Sequence, residues 1–190
     1  ALLEGMAEGQ VTIEEKTHIL PSPFFVMATQ NPLDLVGTFP LPDSQLDRFL
    51  LSFSLGYPDP AAERELLTSE DRSQMLGRTT TLLSPQDVEA LQRDCESVHV
   101  SDNLLDYIQA LLLETRDERW FETGLSPRAG LALLRASRAH AYMEQRDFVT
   151  PEDVKTIFPG LGRHRLNPSS GFSHSPEEQI RELLDQVPIP

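Results

Sequence analysis

An α/β segment leading into an all-α bundle is the fold class that this sequence predicts, on three observations. Two β-favouring runs, Phe24-Phe25-Val26-Met27-Ala28-Thr29 and Phe49-Leu50-Leu51-Ser52-Phe53-Ser54-Leu55, lie in the first third of the chain; the first, a continuous apolar run, suits a strand covered on both faces, and the second reads as another strand. Beyond Gly56-Tyr57-Pro58-Asp59-Pro60 the pattern changes to helical spacing. Finally, the later helix starts repeat one grammar, a capping hydroxyl followed by proline, at Ser84-Pro85, Ser126-Pro127, Thr150-Pro151 and Ser175-Pro176. Two strands do not close an α/β core, whereas about five amphipathic helices make a bundle, so the first third reads as part of a larger unit.

Taken in order, Ala1 to Glu8 reads as a helix already under way, with neither a capping residue nor an initiator Met, and the natural protein is expected to begin upstream. Val11-Thr12-Ile13 and Thr17-His18-Ile19-Leu20 alternate around Glu14-Glu15-Lys16, which predicts a short hairpin. The 24–29 strand follows, then a Pro- and Gly-rich loop from Asn31 to Pro42, a short helix over 43–48 and the second strand. The punctuation near residue 56 divides the chain into an α/β part (1–56), a linker with a first helix from Ala61 to Thr68 (57–83) and a helical part (84–190). In the helical part, Val88, Leu91 and Cys95 mark one apolar face, and Leu104, Leu105, Ile108, Leu111 and Leu112 another. A long helix opened by Ser126 and two more opened by Thr150 and Ser175 complete the bundle.

Composition narrows the function. Thirty acidic residues against 16 basic ones give a net charge of -14, which repels phosphate backbones and anionic membranes on average. Arg163-His164-Arg165 is the single dense basic cluster. There is no apolar run long enough to span a bilayer and no secretory signal at the start, and a lone cysteine, Cys95, excludes an internal disulfide and a cysteine-based zinc cluster; a cytoplasmic protein is expected. The five histidines are scattered without an HExxH pair, no GxSxG elbow surrounds a serine, and acidic pairs such as Glu177-Glu178 suit first helical turns. No metal site is expected in this chain.

Three positions could carry chemistry. Asn31 follows the first predicted strand; an amide at the carboxyl end of a strand in an open α/β sheet can hold an attacking water against a terminal phosphate, or simply stop the strand in an Asn-Pro turn. Arg48 precedes the second predicted strand, where a planar fork at a subunit boundary can stabilise charge on a neighbour's transferred phosphoryl group, or pair with Asp47 or Asp43 on the surface. Arg128 sits in the first turn of its helix, where the free amides and the helix dipole favour anions over cations. That misfit points to a phosphate-facing role, with a solvated arginine as the alternative.

Together the residues look familiar. The run Leu2-Leu3-Glu4-Gly5-Met6-Ala7-Glu8, the segment Ala28-Thr29-Gln30-Asn31-Pro32, and then Gly37-Thr38-Phe39-Pro40-Leu41-Pro42 and Gln45-Leu46-Asp47-Arg48-Phe49 closely resemble the MoxR family of AAA+ ATPases. Leu125-Ser126-Pro127-Arg128, the stretch from Arg146 through Asp153 to Val154, and Arg163-His164-Arg165-Leu166 are similar to that family's lid. The resemblance covers nearly the whole chain in order. It implies the end of an AAA+ P-loop α/β core carrying a β-hairpin insertion, followed by a helical lid bundle, with Asn31 as sensor 1, Arg48 as arginine finger serving a neighbouring subunit's nucleotide, and Arg128 as sensor 2, serving its own subunit's nucleotide or, like Arg48, a neighbour's. It implies ATP and Mg²⁺ as cofactors, a homo-oligomer, by analogy a hexamer, and von Willebrand factor A-domain proteins as partners in remodelling or maturing complexes. The departure is equally plain: neither a GxxxxGK[ST] loop nor an Asp-Glu-ended strand is present, so this chain alone is expected to be inactive. A non-catalytic helical interaction module is the alternative reading.

Overall fold

The computed structural model describes residues 2–30, 41–69, 72–169 and 175–189. At the start, helix α1 (Leu2–Glu8) packs on a two-stranded antiparallel hairpin, β1 (Gln10–Ile13) and β2 (Lys16–Ile19). Glu4 Oε1 accepts both the amide and the hydroxyl of Thr12, at 3.1 and 2.8 Å, fixing the helix to β1. Ile13 faces Lys16 across the ladder, so the loop is the pair Glu14-Glu15, with φ of 47° and 68°. Two consecutive positive φ values give a turn whose twist matches that of the flanking strands.

The two apolar runs do not form strands. Residues 24–30 and 51–59 have no ladder partner, and Phe25, Met27, Phe53 and Leu55 are 81%, 77%, 73% and 88% exposed. The expectations of a strand over 24–29 buried on both faces and of a second strand over 49–55 are therefore corrected. A strand exists only when its amides and carbonyls pair with a neighbour, and among the described residues the hairpin is the one ladder present. The first ten residues of the predicted loop, 31–40, lie outside the described residues.

Helices follow as α2 (Asp43–Leu46), α3 (Pro60–Thr68), α4 (Arg72–Arg78), α5 (Pro85–Ser97), α6 (Asp102–Thr115), α7 (Pro127–Met143), α8 (Pro151–Gly162) and α9 (Pro176–Gln186). Of these only α4 was not foreshadowed by periodicity or a cap. The capping grammar is realised atom by atom. Ser84 Oγ accepts the Asp87 amide while the Asp87 carboxylate accepts the Ser84 amide, and Ser175 and Glu178 repeat the exchange. Asp59 Oδ1 takes the amides of Ala61 and Ala62. Each such cap contributes about 1 kcal/mol.

A single buried cluster runs from Val98 to Val187, where α6, α7, α8 and α9 meet around Tyr107, Leu111, Leu133, Phe158 and Leu183. One polar group inside it is tied to backbone: the buried Gln179 donates to the Trp120 carbonyl at 2.8 Å, holding α9 against the α6–α7 connection. Asp153, 1% exposed, sits at the start of α8 and accepts from the Thr150 amide and hydroxyl and from both terminal nitrogens of Arg146. Burial by itself would raise its pKa; Arg146 and the Thr150 amide outweigh this and hold the carboxyl far below its ordinary value. Half-buried Cys95 lies on α5. No described helix is long and apolar enough to cross a membrane.

Candidate functional site: the junction of Asp47 with the helical bundle

The three sequence candidates fare differently. Asn31 lies outside the described residues. Arg48 lies two residues beyond the end of α2, half-buried, with its amide on the Gln45 carbonyl at 3.2 Å. Arg128 is the second residue of α7, exposed, with no acidic residue in that first turn. It makes no ion pair or hydrogen bond among the described residues.

How α7 starts here is set by α6. The fully buried Thr115 accepts the Leu125 amide at 3.1 Å through its hydroxyl, and Arg116 Nε donates to the Leu125 carbonyl at 3.1 Å. Both sides of Leu125 are thereby held, one residue before the Ser126 cap. Gly124 makes this approach possible: a Cβ there would lie 2.7 Å from both Arg116 Cα and the Thr115 carbonyl oxygen.

Asp47 brings the neighbourhoods of Arg48 and Arg128 together. Ser126 Oγ accepts the Ala129 amide at 3.1 Å as a helix cap, which leaves its proton for Asp47 Oδ2, also at 3.1 Å. The other carboxylate oxygen of Asp47 accepts Arg165 Nε at 2.8 Å. Arg165, whose side chain is 5% exposed, spends the rest of its fork on backbone carbonyls. It donates to Asp47 at 3.0 Å, to Leu50 at 3.2 Å, to Leu161 at 2.6 Å and, closely, to Phe49. The carbonyls on both sides of Arg48 thus rest on one guanidinium. Only arginine offers five donors in a rigid plane.

His164 supports the same strand of backbone. Its Nε2 lies 3.0 Å from the Phe49 carbonyl, which can only accept, so Nε2 carries the proton. Burial, and then the adjacent Arg165 charge, push the imidazole below its ordinary pKa; desolvation likewise lowers Arg165, against the opposing pull of Asp47. Ser52 closes the contact by donating its amide to the Gly160 carbonyl at 2.8 Å.

Sequence reading missed Asp47, Ser126, His164 and Arg165 as one unit. The available signal was Arg163-His164-Arg165, a basic cluster in an acidic chain, which reads equally well as a nucleic-acid contact. In the structure Arg165 turns inward and Arg163 pairs with Glu177 at 2.7 Å, leaving no open basic face there.

Residues 1–51 match the model of the ATPase family associated with various cellular activities, AAA, and residues 113–185 match the AAA lid domain. Over its whole length the chain is 38% identical to the uncharacterized protein YeaC of Bacillus subtilis and 37% identical to the chaperone MoxR1 of Mycobacterium tuberculosis. The chain belongs to the MoxR-type AAA+ ATPases. A solved structure of a candidate ATPase from Cytophaga hutchinsonii superposes with a TM-score of 0.87 at 33% identity, covering all of this chain and 61% of the other. The chain spans 60% of the length of the Bacillus protein and 53% of that of MoxR1.

Arg48 and Arg128 are cations suited to phosphate oxygens. Among the described residues no cluster of three His, Cys, Asp or Glu side chains could hold a metal ion, and the sequence has no phosphate-cradling glycine loop.

Proposed function

We propose that this chain is the nucleotide-responding and lid portion of an ATP-hydrolysing, chaperone-like AAA+ ATPase of MoxR type. In this reading residues 1–56 belong to the α/β nucleotide-binding core, 57–83 connect, and 84–190 form the lid. The observation that carries it is the junction at Asp47, which links the residue preceding Arg48 to the cap of the helix bearing Arg128.

Arg48 is assigned as the arginine finger, meeting charge that develops on a phosphoryl group held by a neighbouring subunit, and Arg128 as the lid cation that reads nucleotide state. Asn31 is assigned to orient the attacking water. When bound, ATP supplies the phosphoryl group whose transfer is assisted; the chain's own contribution is positive charge fixed in advance, which needs no reorganisation as negative charge grows. Such a finger acts between subunits, so the protein is a homo-oligomer, a hexamer in this proposal. It works in the cytoplasm on partner complexes, with von Willebrand factor A-domain proteins as candidate partners.

The test is ATPase turnover of the full-length protein, wild type against Arg48→Ala, across protein concentration. Wild-type activity should rise with assembly, and the variant should bind nucleotide yet lose turnover by about 10³- to 10⁵-fold. A wild type without turnover, or a variant that keeps it, leaves a non-catalytic helical interaction module as the better account.

A further inference from the structure

We infer that Asp47 and Arg165 are positioning residues that make the two phosphate-facing arginines one mechanical unit, so that a movement of the lid helix α7 is felt at Arg48. The inference rests on the functional assignment above and adds to it the device that would couple the two cations.

Three features carry it. First, one carboxylate divides its oxygens between the two parts of the chain's helical body. Oδ2 receives the Ser126 hydroxyl, which at the same moment caps α7 through the Ala129 amide; Oδ1 receives Arg165 Nε. Second, Arg165 binds the carbonyls of Asp47, Phe49 and Leu50, which leaves Arg48 as the one residue from 47 to 50 whose carbonyl it does not take. The backbone is thus gripped on either side of the position whose side chain must reach outward. Third, Arg165 is nearly sealed from water and anchored to the end of α8 by the Leu161 carbonyl, so the grip has a fixed base. A buried guanidinium with all its bonds satisfied has one geometry available rather than many. If α7 tilts, Ser126 leaves Asp47, and the carboxylate holding Arg165 loses half of its own support.

The junction lies within one chain, so its effect is on aim rather than on nucleotide affinity. In the full-length protein, Asp47→Asn and Arg165→Met should each lower kcat by about 10²-fold, the scale of an ångström's misplacement of a reacting group, with ATP affinity nearly unchanged. Because both act through Arg48, adding Asp47→Asn to Arg48→Ala should cause no further loss of kcat. A merely structural role would lower kcat in both backgrounds alike, and multiplicative losses would overturn the inference. A second readout needs no catalysis: hydrogen exchange at the Ala129 and Phe49 amides without nucleotide. Asp47→Asn should quicken both together; unchanged exchange at Ala129 would overturn the coupling. A wild type without turnover would instead sink the ATPase assignment, and with it the positioning role, before any variant is made.

Discussion

His140 Nδ1 and Asp153 Oδ1 lie 2.6 Å apart, joining the last turn of α7 to the first turn of α8. With Arg146 and Thr150 on the same carboxylate, this buried residue holds the corner where the chain reverses between the two helices. Asp153→Asn should therefore cost about 3 kcal/mol, near the low end for breaking a buried pair because Arg146 keeps some access to water. A urea titration following helical content should show the midpoint fall with the slope unchanged; a loss below about 0.5 kcal/mol, typical of a surface change, would refute the role.

Acid should weaken the protein in two separate windows. His164 and Asp153 both have folded-state pKa values below their ordinary ones. For each, the native state binds protons less readily than the unfolded chain, so its stabilisation is complete above the ordinary pKa and is lost as pH falls below it. The His164 part should disappear as pH falls below about 6.5, and the Asp153 part below about 4. Urea midpoints measured from pH 8 to 5 for wild type and His164→Gln should show the first window in the wild type alone, since the amide still donates to the Phe49 carbonyl but does not titrate there. Parallel curves would contradict it.

Gly124→Ala should be costly even though the loop is near the surface. The added methyl would meet backbone atoms of Thr115 and Arg116 at 2.7 Å, and backbone does not step aside as a side-chain end does. The expected loss is about 1–3 kcal/mol, with faster exchange of the Leu125 amide that Thr115 accepts. By contrast, Gly130→Ala meets chiefly a terminal methyl of Leu112 and should be milder.

At the hairpin, Glu14 and Glu15 occupy a backbone region that glutamate disfavours. Replacing them by Asn-Gly, the pair suited to such a turn, should strengthen the hairpin by about 1 kcal/mol. Slower exchange of the amides of β1 and β2 is the measurement; unchanged or faster exchange would mean the turn is held by contacts with α1 instead.

How much of this was legible beforehand depended on how local the cause was. Ser84, Ser126, Thr150 and Ser175 announced their helices because a cap acts within one turn, and the hairpin around Glu14-Glu15 was equally local. The runs at 24–29 and 49–55 misled because a strand depends on a neighbour that local pattern cannot supply. The lone arginines at 48 and 128 could be singled out by misfit and by motif. Their connection could not, since Asp47 meets Ser126 and Arg165 across 79 and 118 residues of sequence. In the sequence Arg165 looked like surface charge, and only its packing made it interior.

Five helices, α3, α5, α7, α8 and α9, carry proline at the first position behind an oxygen-bearing cap. A residue before proline avoids helical backbone angles even in a denatured chain, so none of these helices can creep backwards or slip by a residue while the chain is still searching. Their starting points are settled before any long-range encounter. What remains for folding to decide is how preset rods dock, a search over orientations rather than over reading frames.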